Sequence, residues 1–525
     1  MPAELHIRKR VLTLLVILIF LFGILACRIA YLTTARSAEL TSRGVRQWTR
    51  EGTVYARRGN ILDTNGQTLV MSATAYIVSV EPGKVRDAEA FARIVSPILG
   101  LSEEKVAEKA ANRGKSSVTL KRQVSRETAD RLRQLKQSKD AETAEAASAL
   151  LFDEDVRRVY LRGAFLTQTL GLVNVDGVGQ SGLEQQYETL LRGEAGRSMR
   201  SVDGKARPIY DSGNLYIEPQ DGSTVRLTID ATIQEIVEKA MRECYEVNKA
   251  QAVHAIAMDV YTGAVLAMCS KPDYDPNDPP RDQLHALQSL MRIRLISDSY
   301  EPGSTFKILT AAAALDSGVT MPEDGFYCSG KIKVDGDTIK CWGNPHKAET
   351  MAQALQNSCN PVFVELALRM GTERFYQYLH AFGLGSKTRI DLQGEESGIL
   401  IPVNSVKNVD LARIGFGQSV AVTPVQLLTA ACSVVNGGRL MRPYLLKEAV
   451  SPDGTVLYRT SPKVVSNPIS EETSLTMRKL LEDVVAIGGA KNARIPGYRI
   501  GGKTGTAQVY KDGRIVRNVH IGSFL

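Results

Sequence analysis

The chain has 525 residues, 43% hydrophobic and 23% charged, which is enough for two to four folded domains with a real core. Its formal charge of +8 is spread without a dense Lys/Arg tract, so nucleic acid is excluded as the expected partner, while an anionic surface remains compatible. Nothing in the composition departs from that of an ordinary globular protein.

The first element is an apolar run from Val11 to Cys27, interrupted by Arg28 and resumed from Ile29 to Leu32. As a helix the run reaches about 25 Å, a short bilayer crossing if Arg28 snorkels outward. A single transmembrane helix is expected over 11–32, behind a tail of residues 1–10. Arg8, Lys9 and Arg10 flank one side, and Arg28, Arg36, Arg43 and Arg46 the other, so charge alone does not set its orientation. Gly23-Ile24-Leu25-Ala26 is a poor signal-peptidase site, which favours an anchor that stays on the chain.

Residues 33–226 read as a mixed α/β stretch. A polar helical stalk comes first, then a hairpin over Leu62–Val70 turned at Asn65-Gly66, a strand over Ala75–Val80, and charged helices over 87–113 and 126–149. A boundary is expected near Leu227-Thr228-Ile229-Asp230. The second stretch, 227–525, begins with a helix over Ile233–Tyr245 and a strand pair over His254–Met258 and Ala264–Met268. It continues through a helical block and ends in strands over Arg499–Gln508 and Arg514–Phe524, an α+β arrangement.

The chemistry concentrates in three short motifs of that second stretch. Glu301-Pro302-Gly303-Ser304-Thr305-Phe306-Lys307 opens an Ala/Leu-rich helix. Spacing of i and i+3 places Ser304 and Lys307 on one face, where a desolvated amine can take the proton of a hydroxyl. Ser-x-x-Lys alone is weak: Ser102-Glu103-Glu104-Lys105 fits it too and reads as a plain helix N-cap. Ser358-Cys359-Asn360 and Lys503-Thr504-Gly505-Thr506 follow in the order of the serine acyl-transfer enzymes that use S-x-x-K, S-x-N and K-T-G. Ser212-Gly213-Asn214 is a decoy for the second motif, and K-T-G occurs once.

With these motifs in order, the chain resembles the penicillin-binding proteins, specifically the class B transpeptidases of the division and sporulation branches. Arg58-Gly59-Asn60-Ile61-Leu62-Asp63-Thr64-Asn65-Gly66, Gly182-Leu183-Glu184 with Gly193 and Gly196, and Gly415-Phe416-Gly417-Gln418 with Thr423-Pro424 extend the likeness over nearly the whole chain. The resemblance implies a penicillin-binding transpeptidase fold, an antiparallel sheet with a helical subdomain over 227–525. An elongated pedestal and dimerisation domain over 33–226 precedes it, with residues 1–10 cytoplasmic and the catalytic domain outside the membrane. It further implies a peptidoglycan D,D-transpeptidase that acts on stem peptides, is trapped by β-lactams, needs no cofactor, and works with a membrane-embedded glycan polymerase and a second copy of itself. Ser304 is then the nucleophile, Lys307 its base, Ser358 a proton relay, and Asn360 a holder of the substrate amide. Lys503, Thr504 and Thr506 bind the substrate carboxylate, and Gly505 leaves room for a peptide against the strand. The N–H groups of Ser304 and Thr506 form the oxyanion hole by the same analogy. Cys359 is expected to point away from the cleft.

Cys328, Cys341 and Cys359 cluster near the site with His346 between them, but without the short C-x-x-C of structural zinc. No metal is expected, and a Cys328–Cys341 disulfide is the preferred reading, on a branch likeness to sporulation enzymes. Cys244, Cys269 and Cys432 read as core residues. Family members continue through another strand and a closing helix beyond the point equivalent to Leu525, so a sheet face is expected to lie uncovered. Ser419 stands where the family usually carries glycine. Two rival readings are a hydrolase on the same motifs, a β-lactamase or carboxypeptidase, and a non-catalytic scaffold of a division or sporulation complex.

Overall fold

The computed structural model describes residues 2–201, 215–511 and 514–525. Ser212, Gly213 and Asn214 lie outside the described residues. The chain divides into two compact units, residues 1–56 with 194–220, and residues 57–193 with 221–525.

The smaller unit begins with a helix over Pro2–Thr33. Its segment Ile7–Thr33, 27 residues, is long and apolar enough to cross a membrane, and none of its apolar window is buried against protein. The chain is accordingly a single-pass membrane protein, with a helix that overruns the expected 11–32 at its start. The stalk helix is Ser37–Trp48, and it ends earlier than the polar composition suggests. Thr49–Val54 is instead a strand, paired antiparallel with Gly196–Ser201, which pairs in turn with Leu215–Ile217.

The larger unit is built around a seven-stranded sheet. Along it lie Val456–Arg459, Leu446–Val450, Thr224–Leu227, Ile61–Leu62, Thr68–Val80 and Val118–Ser125, with Leu150–Tyr160 also on Thr68–Val80. The sheet runs across residue 227, because Leu446–Val450 pairs with Thr224–Leu227. The expected Asn-Gly hairpin forms, with Ile61 opposite Val70 and Gly66 at φ +87°. Asp63, fully buried, holds the turn by accepting from the N–H groups of Asn65 at 2.9 Å and Gln67 at 2.7 Å. Ser102 does sit at a helix N-cap, although its side chain makes no capping bond there.

Two of the sequence signatures meet in one buried ion network. Glu184 is 0% exposed and accepts from Arg58 Nε at 2.5 Å and Arg158 Nε at 2.6 Å. Arg58 reaches Glu188 at 2.7 Å, and Arg158 donates to the Gly59 carbonyl at 2.7 Å. Gly59 must be glycine here, since a Cβ would lie 1.9 Å from the Ser223 carbonyl oxygen.

The helical block packs on the Ala-rich helix Lys307–Asp316, of which Lys307 to Ala314 are all buried. Around it lie Asn360–Met370, Thr372–Ala381, Pro424–Val435 and Glu471–Ala486. Alanine side chains let these neighbours approach closely, so the helix is held rigidly from all sides. Two antiparallel hairpins complete the region, Val253–Met258 with Val265–Lys271 and Thr504–Lys511 with Arg514–Phe524.

Replacing Glu184 by glutamine leaves two buried guanidinium groups without their carboxylate. A loss of about 3–5 kcal/mol is expected, read by thermal or denaturant unfolding of the purified protein. A loss near zero would mean that hydration or Glu188 takes over the charge.

Candidate active site

Residues Gly303–Phe306 form a tight 3₁₀ turn that leads directly into the helix Lys307–Asp316. The turn is shaped by two glycines. Gly303, at φ +55°, donates to the Gly417 carbonyl at 2.9 Å, and a Cβ on Gly417 would lie 2.1 Å from the Gly303 oxygen. Gly415-Phe416-Gly417-Gln418 is thus the wall against which the Ser304 turn is pressed. Ser419 follows in the left-handed region at φ +56°, its N–H donating to Glu301 Oε1 at 2.9 Å. That backbone conformation is the reason a glycine is favoured at the position.

Ser304 is partly exposed, and among the described residues no group hydrogen-bonds its hydroxyl. The expected contact between its hydroxyl and the Lys307 amine is not made in this structure. Lys307 Nζ donates instead to the Ser358 carbonyl at 2.6 Å, to Ser358 Oγ at 3.1 Å and to Asn360 Oδ1 at 2.7 Å. Three acceptors on one turn match the three donors of an ammonium, and they outcompete a single hydroxyl. Lys307 is 0% exposed, and this burial, together with the nearby Lys503 charge, lowers its pKa to about 7.

Ser358 joins the helices Met351–Gln356 and Asn360–Met370 in a left-handed conformation, φ +55°. A non-glycine residue pays about 1–2 kcal/mol for this geometry, and here it sends Ser358 and Asn360 to the amine. Cys359 turns the other way and is fully buried, as alternation predicts.

The third motif forms the opposite lip. Lys503 lies one residue before the strand Thr504–Lys511 and exchanges backbone hydrogen bonds with Leu525 at 2.8 and 3.0 Å. A Cβ on Gly505 would stand 3.1 Å from the Pro302 carbonyl and 3.0 Å from Thr305 Cγ2, so this lip rests directly on the Ser304 turn. Lys503 is 2% exposed and donates to the Thr504 carbonyl at 3.1 Å, and its burial lowers its pKa to about 8. Thr504 and Thr506 remain exposed.

The disulfide expected between Cys328 and Cys341 is not formed in this structure, where all seven cysteines are free. Cys269 and Cys432 are core residues as expected, and Cys244 is half-buried. What sequence spacing missed is that Cys328, Cys341, His346 and Cys359 converge, their ligand-capable atoms all within 4.8 Å of one another. The hairpin turns between them, not a C-x-x-C knuckle, supply the proximity. Glu349, beside them, is a further buried residue that the motifs gave no reason to single out.

Set against known proteins, residues 253–525 match the penicillin binding protein transpeptidase domain and residues 53–227 the penicillin-binding protein dimerisation domain. Stage V sporulation protein D of Bacillus subtilis is 38% identical over 99% of this chain and 79% of that protein. Peptidoglycan D,D-transpeptidase FtsI of Escherichia coli is 29% identical over 96% of this chain and 81% of its own. A structure of penicillin binding protein 3 from Mycobacterium tuberculosis, complexed with aztreonam, shares the fold at a TM-score of 0.68 and 24% identity, over 90% of this chain and 87% of that one. The chain belongs to the class B penicillin-binding proteins, the monofunctional serine-type peptidoglycan D,D-transpeptidases.

Ser419→Gly relieves the left-handed backbone beside the Ser304 turn. A gain of about 1 kcal/mol in unfolding free energy is expected, and an unchanged or lowered melting temperature would show that the turn is not strained there.

Proposed function

We propose that cross-linking runs through Ser304, with Lys307 as its base. The observation that carries this is a fully buried amine, lowered to about 7, held between the Ser358 turn and the Lys503 lip. In its neutral form Lys307 takes the Ser304 proton as Oγ attacks the penultimate D-Ala carbonyl of a stem peptide. The oxyanion is held by the N–H groups of Ser304 and Thr506, where one lost donor costs about 3 kcal/mol. Ser358 passes the proton from Lys307 to the departing D-Ala amine, and Asn360 holds both Lys307 and the peptide amide. Lys503, Thr504 and Thr506 take the terminal carboxylate, while Gly505 lets the peptide lie along the strand as an added strand. An amine from a neighbouring stem peptide then attacks the acyl-enzyme and restores the Ser304 hydroxyl. A β-lactam follows the first half of this path and stops at the acyl-enzyme.

The reading extends to the rest of the chain. Residues 227–525 are the catalytic domain and 33–226 the pedestal, supported by the two family matches. The pedestal would carry contacts to a second copy and to a glycan polymerase in the membrane. Residues 1–10 lie on the cytoplasmic side and the catalytic domain outside, where the polymer is assembled. The similarity to Stage V sporulation protein D favours a role in sporulation over general division.

Three measurements test this. A fluorescent penicillin should label the wild type stoichiometrically and leave Ser304→Ala unlabelled. Lys307→Ala should slow acylation by about 10²–10⁴-fold. Because the base works as the free amine and Lys503 as the cation, acylation should rise with pH through about 7 and fall above about 8. A profile flat across both values removes the two lysines from these roles, and rapid turnover of a chromogenic β-lactam indicates a hydrolase.

A further inference from the structure

We propose that the outward face of the hairpin formed by Lys331–Val334 and Asp337–Lys340 binds carboxylates of peptidoglycan stem peptides outside the acylation groove, and so holds the uncross-linked polymer beside it. The proposal rests on the reading that one stem peptide enters between Ser304 and Lys503. In the antiparallel ladder Lys331 stands directly opposite Lys340, and Lys333 opposite Thr338. Ile332 and Ile339 form the alternate pair and turn inward, so the three lysines share the other face, where all are exposed.

Directly opposite residues on one face of such a ladder have Cβ atoms about 5 Å apart, and like charges there repel. The chain itself does not relieve this pair. Among the described residues Lys331, Lys333 and Lys340 make no ion pair. The acids of the hairpin, Asp335 and Asp337, lie at its turn, and Asp337 is paired with Arg413 at 3.0 Å. A two-stranded ribbon is marginal by itself, and a carboxylate between the two ammonium groups turns their repulsion into attraction.

The lysine face is also fixed in place and close to the site. Val334 and Ile339, 6% and 8% exposed, pack into the same core as Phe306 and Phe363. Asn360 Nδ2 donates to the Lys340 carbonyl at 3.1 Å, so the lysine ladder begins where the Ser358-Cys359-Asn360 turn ends. Two residues further on, Trp342 is 70% exposed although its Nε1 is held by the Asn357 carbonyl at 2.8 Å. An anchored indole open to solvent beside a row of cations is the kind of amphipathic surface that interfaces favour. Each stem of an uncross-linked strand ends in a carboxylate, so the polymer is a polyanion, and ammonium groups meet it as point charges without demanding one geometry. With one stem in the groove, the lysine ladder takes carboxylates of the stem beside it.

The test uses the full chain in detergent micelles, carrying Ser304→Ala so that no acylation intervenes, with soluble uncross-linked peptidoglycan strands as the probe. Lys331→Gln together with Lys340→Gln should weaken binding about tenfold at low salt. The difference should shrink as ionic strength rises from about 0.01 to 1 M, where the Debye length falls from about 30 to 3 Å. Lys105→Gln with Lys139→Gln removes the same charge from exposed positions before residue 227 and should bind like the parent. Removing a like-charge pair should leave the melting temperature at or above that of the parent, and a fall shows that the lysines serve the fold and overturns the proposal. Strands amidated at their stem carboxylates should bind parent and variant alike. Undiminished binding in the Lys331/Lys340 pair overturns the proposal, as does an equal loss in the control pair or a difference that survives amidation. Binding is read without acylation, so this outcome stands apart from whether Ser304 is the nucleophile, which penicillin labelling decides.

Discussion

One buried amine sets the terms for the catalytic half of this protein. Lys307 has no exposure to water, and it is held by the Ser358 turn and the Asn360 amide, with the Lys503 cation also acting on it. Desolvation disfavours the charged form, and the three acceptors favour it. The balance leaves the group near neutrality, where a small change in its surroundings decides whether it holds or takes a proton. Every neighbouring feature bears on that balance. The Ala-rich helix excludes water, the left-handed Ser358 aims the acceptors, and Lys503 adds repulsion from the opposite lip.

Rigidity around this group comes from glycine at a few close approaches. Gly417 admits the Gly303 carbonyl, and Gly505 admits the Pro302–Thr305 turn, so three segments far apart in sequence meet almost backbone to backbone. A side chain at either point would push the K-T-G-T lip away from Ser304. The same economy appears far from the site, where Gly59 lets Ser223 approach the Arg58–Glu184–Arg158 network. These approaches explain why the signatures outside the catalytic motifs are glycine-rich without any chemistry of their own.

The Ser358 turn is also where two demands meet. Its outward residues face the amine, and its inward residue, Cys359, faces a cluster of two more cysteines, a histidine and an under-satisfied carboxylate.

Much was legible in the sequence because it is written locally. An apolar run of helix length, an Asn-Gly hairpin, and three motifs in a fixed order need only nearest neighbours and spacing to be read, and the family likeness rests on those motifs together with the glycine-rich signatures outside them. Other features depended on residues distant in the chain. The sheet that runs across residue 227, the Lys307 amine turned to Ser358 instead of Ser304, the left-handed Ser419, and the convergence of Cys328, Cys341, His346 and Cys359 are all long-range. Spacing along the chain did not reveal this convergence, because hairpins and not a knuckle bring the thiols together. Sequence by itself determined which groups the protein owns and in what order. Tertiary structure alone decided which of them lose water and which become neighbours, because burial and proximity are set by packing between segments hundreds of residues apart.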